Sequence, residues 1–187
     1  TLPHLKFGTG QPVHRKEDPR LVSGRGRYAD DIDLPGQAHA RMVRSHHPHG
    51  RIRAIEARRA LALPGVLAVY TAADFARAGY AAMLCKLPLK NADGSPLFAP
   101  PRPILAQDRV RYVGEPLAVV VAENAHVARD AVDLIEVDVE ALPAISDPEA
   151  AAGDRAPRLL GDHANLCLDW RFGDHEAAER VIAGAAH

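Results

Sequence analysis

The sequence predicts an α+β domain in which helices pack on a mixed β-sheet. Three observations carry this. Leu117–Ala122 (LAVVVA) is an unbroken apolar run rich in β-branched residues, the pattern of a strand buried on both faces. Directly after it, Asn124 stands where a helix N-cap belongs, and Val127, Ala131, Leu134 and Ile135 then share one helical face. Gln37–Ser45 and Glu136–Leu142 alternate with period two, as half-buried strands do.

The elements follow in chain order. Residues 1–27 read as an extended segment of mixed charge, with Gly24-Arg25-Gly26 as a turn; a phosphate loop would need a preceding strand and a following helix. Residues 28–146 form the main domain. Tyr28–Ile32 is strand-like and ends at the turn Leu34-Pro35-Gly36. In Gln37–Ser45, Ala38, Ala40 and Met42 make the expected apolar face, opposite His39, Arg41 and Val43. Arg51–Ile55 is a second short strand, and Glu56–Leu63 is a helix stopped by Pro64-Gly65. Val66–Thr71 is a strand, and Thr71-Ala72-Ala73-Asp74 has capping-box form at the start of the helix Ala72–Ala78.

Pro88, Pro96, Pro100, Pro101 and Pro103 mark residues 85–107 as a long connection, a kind of segment that is often functional or interfacial. After the strand Leu117–Ala122 and its helix, Glu136–Leu142 places Val137, Val139 and Ala141 inward. Residues 147–187 hold a polar connector (147–163), a short strand Asn165–Phe172, and a helix capped by Asp174 that runs to His187. The stop after GAAH reads as a cut in a longer chain.

Composition bounds the function. Of 187 residues 47% are hydrophobic, and although 34 are alanine, enough larger apolar side chains remain for one core, which excludes wholesale disorder. No window approaches the roughly 18 apolar residues of a membrane span, and the N-terminus has no signal-peptide pattern. A cytoplasmic location is expected. Cys85 and Cys167 have no CxxC partner, so no structural zinc or iron–sulfur cluster is expected. His39, His46, His47 and His49 cluster without a carboxylate or thiol at ligand spacing and read as surface or structural. The net charge of −1 argues against a nucleic-acid binder. It divides into +8 over residues 1–90 and −9 over 91–187, as expected of two halves that pack together and neutralise each other.

No nucleophile elbow, HExxH or P-loop is present. Glu115, between Gly114 and Pro116, is either a buried base or a turn residue at an interface, and Asp30 and Asp31 read as solvated turn carboxylates.

One set of blocks is specific. RKEDPRLVSGRGRYADDIDLPG at 15–36, VRSHHPHGRI at 43–52, ALPGVLAVYTAADF at 62–75, VRYVGEPLAVVVAE at 110–123, ARDAVDLIEVDVEALPA at 128–144 and NLCLDWRFGD at 165–174 occur in this order. They resemble the N-terminal α/β hammerhead region of the molybdenum-binding large subunit of the xanthine dehydrogenase/aldehyde oxidase family, in its carbon monoxide dehydrogenase-like branch. Two departures stand out. The family commonly reads RSPHAHA where this chain has Arg44–Gly50, and VDYEPLPA where it has Val137–Ala144. The first implies a different turn, the second a relaxed strand end.

The resemblance implies a parent enzyme that hydroxylates a carbon centre with oxygen from water. Its molybdopterin, in the cytosine dinucleotide form, and its catalytic glutamate would lie beyond this region, with iron–sulfur and FAD on partner subunits in a dimer of heteromers. No catalytic, cofactor or metal residue transfers to a position here, and the chain itself is expected to bind no molybdenum, iron or flavin. The expected role is structural: contact through Lys86–Pro103 and through turns carrying Arg44, His46, His49, Gly114 and Glu115, with the rest of the large subunit and the iron–sulfur and flavin subunits as partners. Two alternatives are a free-standing protein-binding module without redox chemistry, and a small enzyme built on Glu115 and the histidine cluster.

Overall fold

The computed structural model describes residues 14–161 and 165–185. The chain divides into two compact units, Thr1–Gln37 and Ala38–His187. In the first, Pro19 at the head of the short helix α1 (Asp18–Val22) suits a position whose N–H needs no partner. Gly24, at φ +70°, closes α1 while Arg25 N donates to Arg20 O. The strand expected at Tyr28–Ile32 is instead a 3-10 turn at Ala29–Asp31, because the Asp31 carboxylate captures the Tyr28 N–H at 2.8 Å. The Pro-Gly turn is present, with Gly36 at φ +76°. Residues 1–13 of the expected extended segment lie outside the described residues.

The second unit holds two three-stranded sheets, both antiparallel, in place of one mixed sheet. The first has the order β1 (His39–Arg44), β5 (Pro116–Ala122), β3 (Val66–Thr71). The second has β4 (Arg109–Val110), β2 (Gly50–Glu56), β6 (Glu136–Ala141). As the unbroken apolar run predicts, β5 is central, with Ala118 and Val120 fully buried and Val119 only 8% exposed. Helix α4 (Ala125–Asp133) starts at Asn124, whose side chain accepts from Val127 N, and packs on β1 and β5. One cluster gathers Val43, Ala60, Ala118, Val120, Ala131 and Ile135. A second gathers Ala106, Val110 and Leu117, and Ile55 and Val137 pack against both, which couples the sheets.

Several elements depart from expectation. In β1 the core side chain is Val43, while Ala38, Ala40 and Met42 are exposed. Both faces of that strand carry one large apolar residue, so alternation alone picks the wrong one. Glu56 ends β2, and the helix after it shrinks to α2 (Arg58–Leu61), because Glu56 turns back to bond Arg58 N and its guanidinium. Helix α3 (Ala72–Arg77) has the expected capping box from Thr71 and Asp74. Ala141 is exposed at the end of β6, whereas Val137 and Val139 are half-buried as expected. The connector contains helix α5 (Pro148–Ala152), capped by Asp147. Residues 162–164 of the connector and its flank lie outside the described residues, as do 186–187.

Asn165–Phe172 is not a regular strand. It runs beside the proline-rich connection, where Ala92 N donates to Asp169 O, Phe98 N to Cys167 O, and Asp169 N to the Asn91 side chain. Pro96, Pro100 and Pro101 lack the N–H groups a ladder would need. Helix α6 (His175–Ala183) follows with its Asp174 cap and buries no residue. The basic first and acidic second halves do meet: Arg53 and Arg51 pair with Glu140, and Arg59 with Glu136.

Candidate functional site

Two connections cross from one sheet to the other at a single corner. Residues 45–49 lead from β1 to β2, and residues 111–115 lead from β4 to β5. They are bonded to each other through their backbones. Ser45 N donates to Glu115 O at 3.0 Å, Gly114 N donates to Ser45 O at 2.7 Å, and the Arg44 guanidinium donates to Gly114 O at 2.8 Å. Gly114 sits at φ +88°, a conformation a side chain would strain. Ser45, 3% exposed, holds the bend internally: its hydroxyl accepts from His47 N and donates to His47 O.

The two groups with chemical potential face inward. The Glu115 carboxylate, 6% exposed, accepts from Arg111 N, and the Arg111 guanidinium stands 3.8 Å away. His49, 4% exposed, uses Nδ1 to bond Pro143 O at 2.7 Å, just past the end of β6, while its buried Nε2 has no partner. The structure thus brings Arg44 into contact with Gly114 and Glu115, which the sequence placed in two separate turns. His49 serves the same corner from the second sheet, and His46 is exposed on the bend. Sequence reasoning missed Ser45, Arg111 and Pro143. Pro143 takes part through its carbonyl and Arg111 in part through its N–H, main-chain groups for which side-chain identity gives no signal.

Beside the corner lies a cleft of about 540 Å³ between β1, α4 and β6. Val43, Leu117, Ile135, Val137 and Val139 form its apolar wall, and Arg41, Arg44, His46, His47, Arg129 and Asp133 its polar side. The sequence placed Arg41 opposite the apolar face of its strand, and Arg129 was not singled out.

Two antiparallel sheets bonded through crossing connections at one corner, with α4 on β1 and β5 and the short helices α2 and α3 on β3, make up an α/β hammerhead domain. The chain belongs to the family of that fold: the hammerhead domain of aldehyde oxidase and xanthine dehydrogenase matches residues 23–143. It is 37% identical to the carbon monoxide dehydrogenase large chain of Afipia carboxidovorans, over 95% of this chain and 22% of that one. It is 38% identical to the nicotine 6-hydroxylase large subunit of Paenarthrobacter nicotinovorans, again over 95% and 22%. Reconstituted CO dehydrogenase from Oligotropha carboxidovorans superposes with a TM-score of 0.72 at 34% identity, covering 94% of this chain and 22% of that one. The chain therefore spans about a fifth of the length of these relatives.

The molybdenum cofactor implied by the family does not fit the residues described here. The cleft offers a pterin an aliphatic wall with few acceptors. No three His, Cys, Asp or Glu side chains converge as metal ligands among the described residues.

Proposed function

We propose that this chain is the non-catalytic structural and assembly domain of a molybdenum hydroxylase large subunit. The parent would use molybdopterin, in its cytosine dinucleotide form, with iron–sulfur and FAD on partner subunits in a dimer of heteromers in the cytoplasm. What supports the reading is how the corner spends its polar groups. The Glu115 carboxylate accepts from Arg111 N and so closes the connection from β4 to β5, His49 Nδ1 bonds the Pro143 carbonyl at the end of β6, and the backbones of Ser45, Gly114 and Glu115 tie the two crossing connections together. A general base needs a free lone pair within reach of a substrate proton, and the Glu115 carboxylate faces a peptide N–H and a guanidinium instead. In this reading Arg44 and His46, exposed on the same bend, meet neighbouring parts of the large subunit.

The test is Glu115→Gln in the full large subunit with its partners, read as turnover per bound molybdenum and as the fraction of subunit in the complex. The expected result is a smaller assembled fraction with unchanged turnover per molybdenum. Loss of turnover in a fully assembled, fully loaded complex would overturn the structural role.

A further inference from the structure

We infer that the cleft between β1, α4 and β6 is a docking groove for an acidic, apolar segment of the remainder of the large subunit; this rests on the assembly reading above. Three guanidiniums, from Arg41, Arg44 and Arg129, face the groove against the single carboxylate of Asp133. Arg44 is already engaged with Gly114 O. The guanidiniums of Arg41 and Arg129 have no hydrogen bond or ion pair among the described residues, although Asp133 lies one helical turn from Arg129. Arg51, Arg53, Arg58, Arg59, Arg77, Arg111 and Arg171 pair with carboxylates, whereas Arg41 and Arg129 do so neither with Asp133 nor with any other described residue.

The wall beneath these cations is aliphatic. Met42, at the mouth, is 40% exposed on a strand whose neighbouring position, Val43, is core. A groove with an apolar floor and unpaired cations at its edge is complementary to a segment with an aliphatic or aromatic side chain next to Asp or Glu. A nucleic acid would match the cations but not the Val and Leu wall. A free small anion would leave the wall wet. The occupant fits best as part of the same large chain, because this domain accounts for 22% of its relatives' large chains and a tethered segment binds at high effective concentration.

The experiment uses the full large subunit in its complex, with p-benzoylphenylalanine in place of Met42, photolysis, and mass spectrometry of the cross-linked peptides. The expected result is one dominant cross-link to a large-subunit peptide outside residues 1–187 that contains Asp or Glu. Its yield should fall about tenfold with Arg41→Glu/Arg129→Glu. An Asp→Lys or Glu→Lys change in the captured peptide should restore the yield in that background, which separates charge pairing from simple misfolding. Arg41→Gln/Arg129→Gln, which adds no repulsion, should give an intermediate yield. No cross-link, a cross-link to another subunit, or a yield indifferent to both arginine pairs overturns the groove. Failure of the assembly reading looks different: deleting residues 1–187 would then leave the remaining subunits fully assembled.

Discussion

The β5–α4 layer and the strip formed by residues 165–185 belong to the same unit but are held by different forces. In the first, Ala118, Val120 and Ala131 have no exposed surface, and the hydrogen bonds lie inside a dry layer. In the second, Phe172 is 89% exposed, Ile182 68% and Trp170 52%, and the ordering comes from backbone bonds to residues 91–98 and from the Trp170–Phe172 ring stack. Each buried apolar side chain contributes about 1.5–3 kcal/mol, whereas a hydrogen bond exchanged with water nets only about 1 kcal/mol. The layer can hold itself together. The strip presents an apolar surface of the kind that other protein covers in a larger assembly.

Leucine truncation is the strongest way to break this contrast. Leu117 is 1% exposed in the second cluster, while Leu166 in the strip is 56% exposed. Leu117→Ala is expected to cost about 3 kcal/mol in urea unfolding. Leu166→Ala should stay within about 0.5 kcal/mol. Equal losses would mean that the strip is part of the cooperative core.

A slightly smaller effect is expected where the sheets are tightest. Gly50 is buried at the start of β2, and a Cβ there would overlap Val139 Cγ1 and stand 2.9 Å from Glu140 O. Gly50→Ala should therefore cost about 1–3 kcal/mol through overpacking. Gly79 has open space around its Cβ direction, though at φ +82°, so Gly79→Ala tests backbone strain without a clash. It should cost about 1–2 kcal/mol, below the middle of the Gly50 range. The reverse order in thermal melts would locate the tight contact wrongly.

Two helices capped in the same way, α4 and α6, sharpen the comparison. Asn124 accepts from Val127 N at 2.9 Å, and Asp174 from Ala177 N at the same distance. The bonds match, so only context differs. Asn124→Ala should lower global stability by about 1 kcal/mol, because α4 is packed on the core sheet. Asp174→Ala should leave the unfolding midpoint in place and appear only as faster amide exchange across 175–183, since α6 buries nothing.

How much was legible in the sequence follows the same division. β5, β3, α3 and α4 stood out because each carries a local signal, an apolar run or a cap, that agrees with its packing. The orientation of β1 did not, because Val43 and Met42 compete on opposite faces and only the tertiary partner, α4, decides between them. The split into two sheets was hidden for a related reason: pairing depends on connections that cross at a corner through main-chain atoms. Gly114 and Glu115 were identifiable as special beside Pro116, and Arg44 and His49 as part of an unusual bend. Their bonding to Ser45, Arg111 and Pro143 was not, since a backbone N–H or C=O has the same formula at every residue but proline, which lacks only the N–H. Residues 165–172 looked like a strand by composition, but the partner they lie against is rich in proline and cannot complete a ladder.

The smallest expected effect concerns two aspartates held in local turns, one in each region's neighbourhood. Asp74 caps α3, and its carboxyl is lowered below the ordinary aspartate value first by the Thr71 backbone N–H, at 2.7 Å, then by the Thr71 hydroxyl, at 2.8 Å. Asp93, in the proline-rich connection, is lowered first by the Ser95 side chain and then by Ser95 N. Both shifts are downward, so whatever stability they contribute is complete above the ordinary aspartate pKa. It is lost as pH falls through the lowered, folded-state values. The order of causes gives the discriminating variants. Thr71→Val removes only the second cause at Asp74, leaving the backbone donor, whereas Ser95→Ala removes the first cause at Asp93. Carboxyl titration by NMR should therefore show the larger upward move at Asp93. A larger move at Asp74 would mean that the hydroxyl, and not the helix-capping N–H, holds that carboxylate in place.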